Sequence, residues 1–276
     1  MNPILLAEGD PFEHTWNTWD LDFVFGHLDL HSIAICRTLG ITNIVVMMLV
    51  VATALLAMGV AAGNEAKRAL AEGRAPRGLG HVFEILVEFV RDAIVKPQMP
   101  HHFEKGVINS YFCTIFFFIL GCNLIGLVPA PFGHTPTGLF WLNLFLAFGG
   151  TLVVMIVAGV AEHGIKWVWT GFVPHGVPIW LAPVIWAIEV FGFFIKPFAL
   201  TIRLTANMTA GHIILAVLMG FLVADLSVGE KVLVWPPSAF GYLAITAFEV
   251  AIAAIQAYIF TTLSAVFVGM SLSHEH

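Results

Sequence analysis

The chain has 276 residues, 59% of them hydrophobic and only 11% charged, with a net charge of −6. Soluble domains carry about 25% charged residues, so this composition excludes an ordinary soluble enzyme and describes a multi-span membrane protein. The negative balance argues against nucleic acid as a partner.

Residues 1–40 mix Asp10, Glu13, Asp20, Asp22 and Asp29 with Trp16, Trp19, Phe23 and Phe25, the composition of an interfacial segment. The opening MNPILLAEGDPF is acidic and lacks a basic region, unlike a secretory signal peptide. His27 and His31 stand at i, i+4, a spacing that can hold zinc if helical, but no third ligand type accompanies them and no metal is expected. Cys36, Cys113 and Cys122 are odd in number and lie in or near apolar runs, so they read as packing thiols.

The membrane domain, residues 41–276, is predicted to be all-α. It holds about five transmembrane helices, at 41–62, 107–128, 139–161, 177–224 and 238–272, each apolar and long enough to cross a bilayer. The first is expected to end at Gly63-Asn64. The next stretch, to Lys105, holds seven of the chain's twelve Lys and Arg, which marks the cytoplasmic (or matrix) side. Within it, residues 79–96 place Val82, Phe83, Leu86, Phe89, Val90, Ala93 and Ile94 on one face. His81, Glu84, Glu88, Arg91 and Asp92 take the other, the pattern of an amphipathic helix on the membrane surface. The stretch 177–224 is too long for one upright span at about 1.5 Å per residue, so it is expected to be strongly tilted, kinked or broken. A polar turn over 225–237 then leads to a second overlong helix, and the two form an antiparallel hairpin.

Residues 191–220 carry Arg203 with no acidic residue within ten positions on either side. An arginine at mid-membrane costs about 2.5–3.5 kcal/mol on the insertion scale, so it is either a structural charge paired elsewhere in the bundle or a fixed positive charge on an ion path. Asn207, at i+4, shares its face. If the hairpin turns near residue 230, facing residues have numbers summing to about 460. Arg203 then meets Gln256, and His212 meets Glu249, as two level polar pairs in otherwise apolar helices. A carboxylate beside an imidazole favours the charged form of both, and such a pair can exchange a proton.

The run Lys196-Pro197, Arg203-Leu204, Ala206-Asn207-Met208 and Ala210-Gly211-His212 resembles subunit a of the rotary F-type ATP synthases. So do residues 249–256, the ending His274-Glu275-His276, and Asn123 through Pro129; the resemblance spans roughly residues 78–276. It implies that the hairpin is tilted against a ring of c subunits and that Arg203 faces the ring's buried carboxylates. It also implies peripheral-stalk b subunits and the rest of the complex as partners. By the same resemblance the chain translocates protons in an energy-coupling inner membrane, bacterial rather than mitochondrial. It would act as a non-catalytic subunit without a cofactor. The expected half-channel residues are Asn123, Asn207, His212, Glu249 and Gln256 on one side and Glu189 on the other. His212 precedes Glu249, the order of mitochondrial-type members, and Gly126 stands where some members carry an acid. No G-x-x-x-x-G-K-[ST] loop for nucleotide occurs. A sodium-translocating version, a secondary transporter or an assembly subunit of a respiratory complex are the alternatives. No internal repeat supports the transporter, and the intramembrane Arg, His and Glu argue against the assembly subunit.

Overall fold

The computed structural model describes residues 20–23, 26–29, 42–75, 78–99, 106–128, 136–165, 178, 180–224 and 227–272. His31, Cys36, Pro129, Lys166, Trp167, Trp169 and the final His274-Glu275-His276 lie outside them. The protein is an all-α membrane protein preceded by one small antiparallel pair, β1 (Asp20–Phe23) and β2 (Gly26–Asp29). His27 is in β2, with Asp22 opposite, so the helical zinc spacing is not formed there.

The helices are α1 (Asn43–Ala71), α2 (Leu79–Phe89), α3 (Val107–Gly126), α4 (Phe140–Phe145), α5 (Val153–His163), α6 (Ala182–Val223) and α7 (Val228–Leu272). A π-helical turn at Val90–Val95 extends α2, and another at Leu146–Leu152 joins α4 to α5 into one span. Among the described residues, five helices are long and apolar enough to cross a membrane.

Two boundaries differ from expectation for identifiable reasons. α1 runs through Gly63-Asn64 to Ala71 because Glu65, Ala66, Lys67, Arg68, Ala69 and Leu70 are strong helix formers. It stops at Gly73, whose φ of 64° lets Arg74 N–H reach Ala69 O (2.9 Å) and Gly73 N–H reach Leu70 O (3.3 Å), a Schellman ending. α7 starts at Val228, ten residues before the expected 238, because Glu230 reaches back to the Ser227 N–H, the side-chain-to-backbone half of a capping box. Ser227 N–H and Oγ donate to Glu230 Oε2 at 3.0 and 2.6 Å. Pro236 and Pro237 lie inside the helix. α6 is unbroken through Pro197, whose carbonyl accepts the Thr201 hydroxyl at 3.0 Å.

The structure divides into two compact units. One comprises residues 1–51, 120–140 and 203–256. Its core includes Ile44, Met47, Leu204, Met208, Ala253 and the polar Asn123 and Thr137. Lipid offers no hydrophobic drive for helix association, so close approach at small residues matters more. Glycine provides it three times. A Cβ on Gly121 would stand 2.8 Å from Val51 Cγ1, one on Gly241 would stand 3.5 Å from Leu218 Cδ2, and one on Gly211 would overlap the Glu249 carboxylate.

The other unit comprises residues 52–119, 141–202 and 257–276. Here α2 lies on α3, with Phe83 stacked on Phe117 at 4.9 Å, and Val90, Ile94 and Val95 fully buried. The wider π turn sends these three inward while Arg91, Asp92 and Lys96 form a charged knot outside, Arg91 Nε–Asp92 at 2.8 Å and Lys96 Nζ–Asp92 at 2.9 Å. Those hydrogen bonds, Arg91 first and Lys96 second, hold the Asp92 carboxyl well below the usual carboxylate range. Past the π turn, the Gln98 carbonyl sits directly on Gly269 near the end of α7. In the other π segment, Gly150 O accepts the Tyr111 hydroxyl at 2.6 Å and Thr151 shares a 2.7 Å hydrogen bond with Ser264.

Candidate functional site

Apolar helices leave few side chains able to do chemistry, and the first unit gathers most of them. Along α6, Arg203 is exposed, Asn207 and His212 are half-buried, and Leu204 and Met208 point into the core. Among the described residues Arg203 has no ion-pair partner. On α7, Glu249 and Gln256 are buried at 5% and 6% exposure, seven residues apart and therefore on one face. Polar groups so deep in an apolar helix need a local reason, and the reason for Glu249 is Gly211. The missing Cβ leaves a notch on α6 in which the carboxylate lies against backbone, next in sequence to His212.

That contact fixes the register. Facing residue numbers add to 460 at Gly211/Glu249 and 459 at Leu218/Gly241. The same alignment puts Gln256 level with Arg203 and Glu249 level with His212. Asn207 Nδ2 and Gln256 Oε1 are buried with no hydrogen-bond partner among the described residues. An unsatisfied buried amide costs about 1–3 kcal/mol, which favours a site that takes in water or another polar group.

Asn123, fully buried near the end of α3, uses both ends of its amide. Its Oδ1 accepts the Thr137 hydroxyl at 2.6 Å, and its Nδ2 donates to Ala253 O at 3.3 Å. Ala253 lies between Glu249 and Gln256, so Asn123 holds α7 at the point from which both side chains project. Sequence reasoning missed Thr137 and Gly211 as parts of the site. The only signal for Gly211 was its place beside His212, opposite Glu249 in the register; for Thr137 there was none. Glu189 lies in the other unit, half-buried on α6.

Residues 44–269 match the family described as ATP synthase A chain. The chain belongs to the ATP synthase subunit a family. It is 38% identical to "ATP synthase subunit a" of Chloroherpeton thalassium, over 96% of this chain and 77% of that protein. It is 38% identical to "ATP synthase subunit a 2" of Chlorobaculum tepidum, over 91% and 69%. With "ATP synthase subunit a" of Myxococcus xanthus it shares 40% identity over 87% and 76%. As a member of the subunit a family it is a multi-pass membrane protein of ATP synthesis and ion transport.

Proposed function

We propose that this subunit a is the stator of a proton turbine in a bacterial inner membrane. Protons enter from the side away from the basic loop, past Asn123, His212, Glu249 and Gln256, and neutralise a carboxylate on a rotating ring of c subunits. They leave through a second half-channel near Glu189. Arg203 stands between the two paths. The chain itself carries no nucleotide chemistry; it works within the complex beside the c-ring and the peripheral-stalk b subunits.

The observation that carries this reading is a fixed charge exposed on a membrane helix. Arg203 shares its stripe of α6 with Ala206 and Ala210, also exposed, and small residues let another helix approach closely. Opposite charges about 4 Å apart attract by ~4 kcal/mol at an effective dielectric near 20. That strips the proton from an arriving carboxylic acid and repels a proton leaking directly between the half-channels. Against it acts a driving force of ~2.3 kcal/mol per charge per 100 mV, so roughly 170 mV matches the attraction. The buried carboxylate of Glu249, against backbone and level with His212, supports a proton relay on the entry side.

The test is ATP-driven proton pumping by the purified complex in liposomes. Arg203→Ala is expected to assemble and to pump nothing. Arg203→Lys is expected to fail as well, because an ammonium lacks the planar fork and loses its proton more readily when buried. Near-normal pumping by the assembled Arg203→Ala complex would sink the reading.

A further inference from the structure

A partly enclosed groove of about 580 Å3 lies within the second unit, where α1, α2 and α3 meet. Its walls change character along its length. Toward the basic loop the lining is polar, with Asn109 and Ser110 from the first turn of α3. Deeper, it is apolar, with Leu55, Leu56, Phe117 and Phe118. Phe83 and Val87 of the amphipathic α2 form its interfacial rim.

The polar end is not self-satisfied. The hydroxyls of Ser110 and Thr114 turn back to carbonyls of their own helix, Gly106 O at 3.3 Å and Ser110 O at 2.7 Å. Asn109 has no such outlet, and its Oδ1 is buried without a hydrogen-bond partner among the described residues. Beyond the groove, Lys67 continues the stripe of α1 that carries Leu56 and Val60. Seven residues past Val60 it returns to the same face, about 10 Å farther along. Helical Cβ atoms tilt toward the N-terminus, which for Lys67 is toward the groove. Lys67 is exposed.

We propose that this groove binds one membrane phospholipid. An acyl chain lies among Leu55, Leu56 and Phe117, an ester carbonyl accepts from the Asn109 amide turned so that its Nδ2 faces the groove, and the phosphate meets Lys67. The ordering of apolar, neutral polar and cationic groups along one line matches that of a phospholipid. It matches an isoprenoid quinone less well, since a quinone offers nothing to the lysine. The volume falls in the range of sites that enclose small molecules, about 300–1,000 Å3. The site is independent of the proton path.

The test uses the whole complex and a phosphatidylethanolamine carrying a diazirine in its acyl chain, with adducts mapped by mass spectrometry. Adducts are expected in residues 52–60 and 109–118. Gly59 lines the groove and has open space where a Cβ would stand, so Gly59→Phe fills the site without displacing backbone. Gly59→Phe is expected to reduce those adducts by about tenfold or more while leaving adducts on the exposed Phe240 and Leu243 of α7 unchanged. Val60→Trp serves as a second plug if Gly59→Phe does not assemble. Lys67→Glu is expected to reduce phospholipid adducts and to leave those of a diazirine-bearing isoprenoid quinone at their low level. The proposal is overturned if a plugged groove labels as strongly as the open one. It is equally overturned if the quinone probe labels the groove and unlabelled phospholipid fails to compete with it.

Discussion

Gly211→Ala isolates the contact on which the candidate site depends. The added methyl would overlap the Glu249 carboxylate, which is the free end of a flexible side chain, not backbone. Overpacking a fitted interface costs about 1–3 kcal/mol. Because the carboxylate can swing away, the low end of that range falls on stability, and the helices keep their spacing. The displacement instead falls on the site: Glu249 leaves its notch beside His212. If the whole cost enters the barrier to proton transfer, flux drops roughly five- to 150-fold. The assay is passive proton flux through membranes stripped of the catalytic head, alongside the melting temperature of the purified complex. Shortening the acid should restore room, so Gly211→Ala with Glu249→Asp is expected to conduct better than Gly211→Ala alone, the non-additivity of touching residues. Wild-type flux in Gly211→Ala would show that the Glu249 carboxylate does not act from against Gly211.

The same substitution at Gly269 has the opposite character, because a methyl there meets the backbone carbonyl of Gln98, which cannot rotate aside. Gly269→Ala is therefore expected to cost stability near the upper end of about 1–3 kcal/mol, read as a lower melting temperature and faster proteolysis between α2 and α3. Cysteine pairs at 203 and 256 and at 212 and 249, in a background without Cys36, Cys113 and Cys122, are expected to cross-link. A 203–249 cross-link without 203–256 would refute the register. Asp92 supplies a pH test. Its folded pKa is depressed, so its contribution is full above the unfolded value of about 3.9 and is lost as pH falls through the lower folded value. Hydrogen exchange of residues 79–95 should thus be insensitive to Asp92 ionisation between about pH 5 and 8 and quicken only in strong acid. In Asp92→Asn that acid-induced step should be missing.

Much of this molecule was legible because the bilayer limits the options. Apolar length located five spans, charge asymmetry located the basic loop, and a period of 3.6 located α2. The pairing of Glu249 with the neighbourhood of His212 followed from simple antiparallel counting, and the Gly211/Glu249 contact has that register. What escaped was decided by local competition. Gly63-Asn64 read as a stop, yet the helix formers after it outweighed a pair of weak residues. Pro236-Pro237 drew the eye from the Ser227–Glu230 capping box, which sits in the sequence as S-x-x-E. The π turns leave no compositional trace, since they differ from α-helix only in which carbonyl each N–H meets. Thr137, whose hydroxyl completes the Asn123 clamp, comes from a connection with no periodicity to read.

The π segment at Leu146–Leu152 bears on how this chain can change length. In a membrane helix, losing one residue normally turns everything downstream by about 100° and carries its lipid-facing side chains inward. A π turn already holds one residue more than an α turn, so a deletion inside it relaxes to ordinary helix and leaves both flanks in phase. The span of α4 and α5 therefore contains a place where evolution can subtract a residue at small cost. What would be lost there is local: the Gly150 carbonyl that receives Tyr111, and the wider turn that brings buried Thr151 to Ser264.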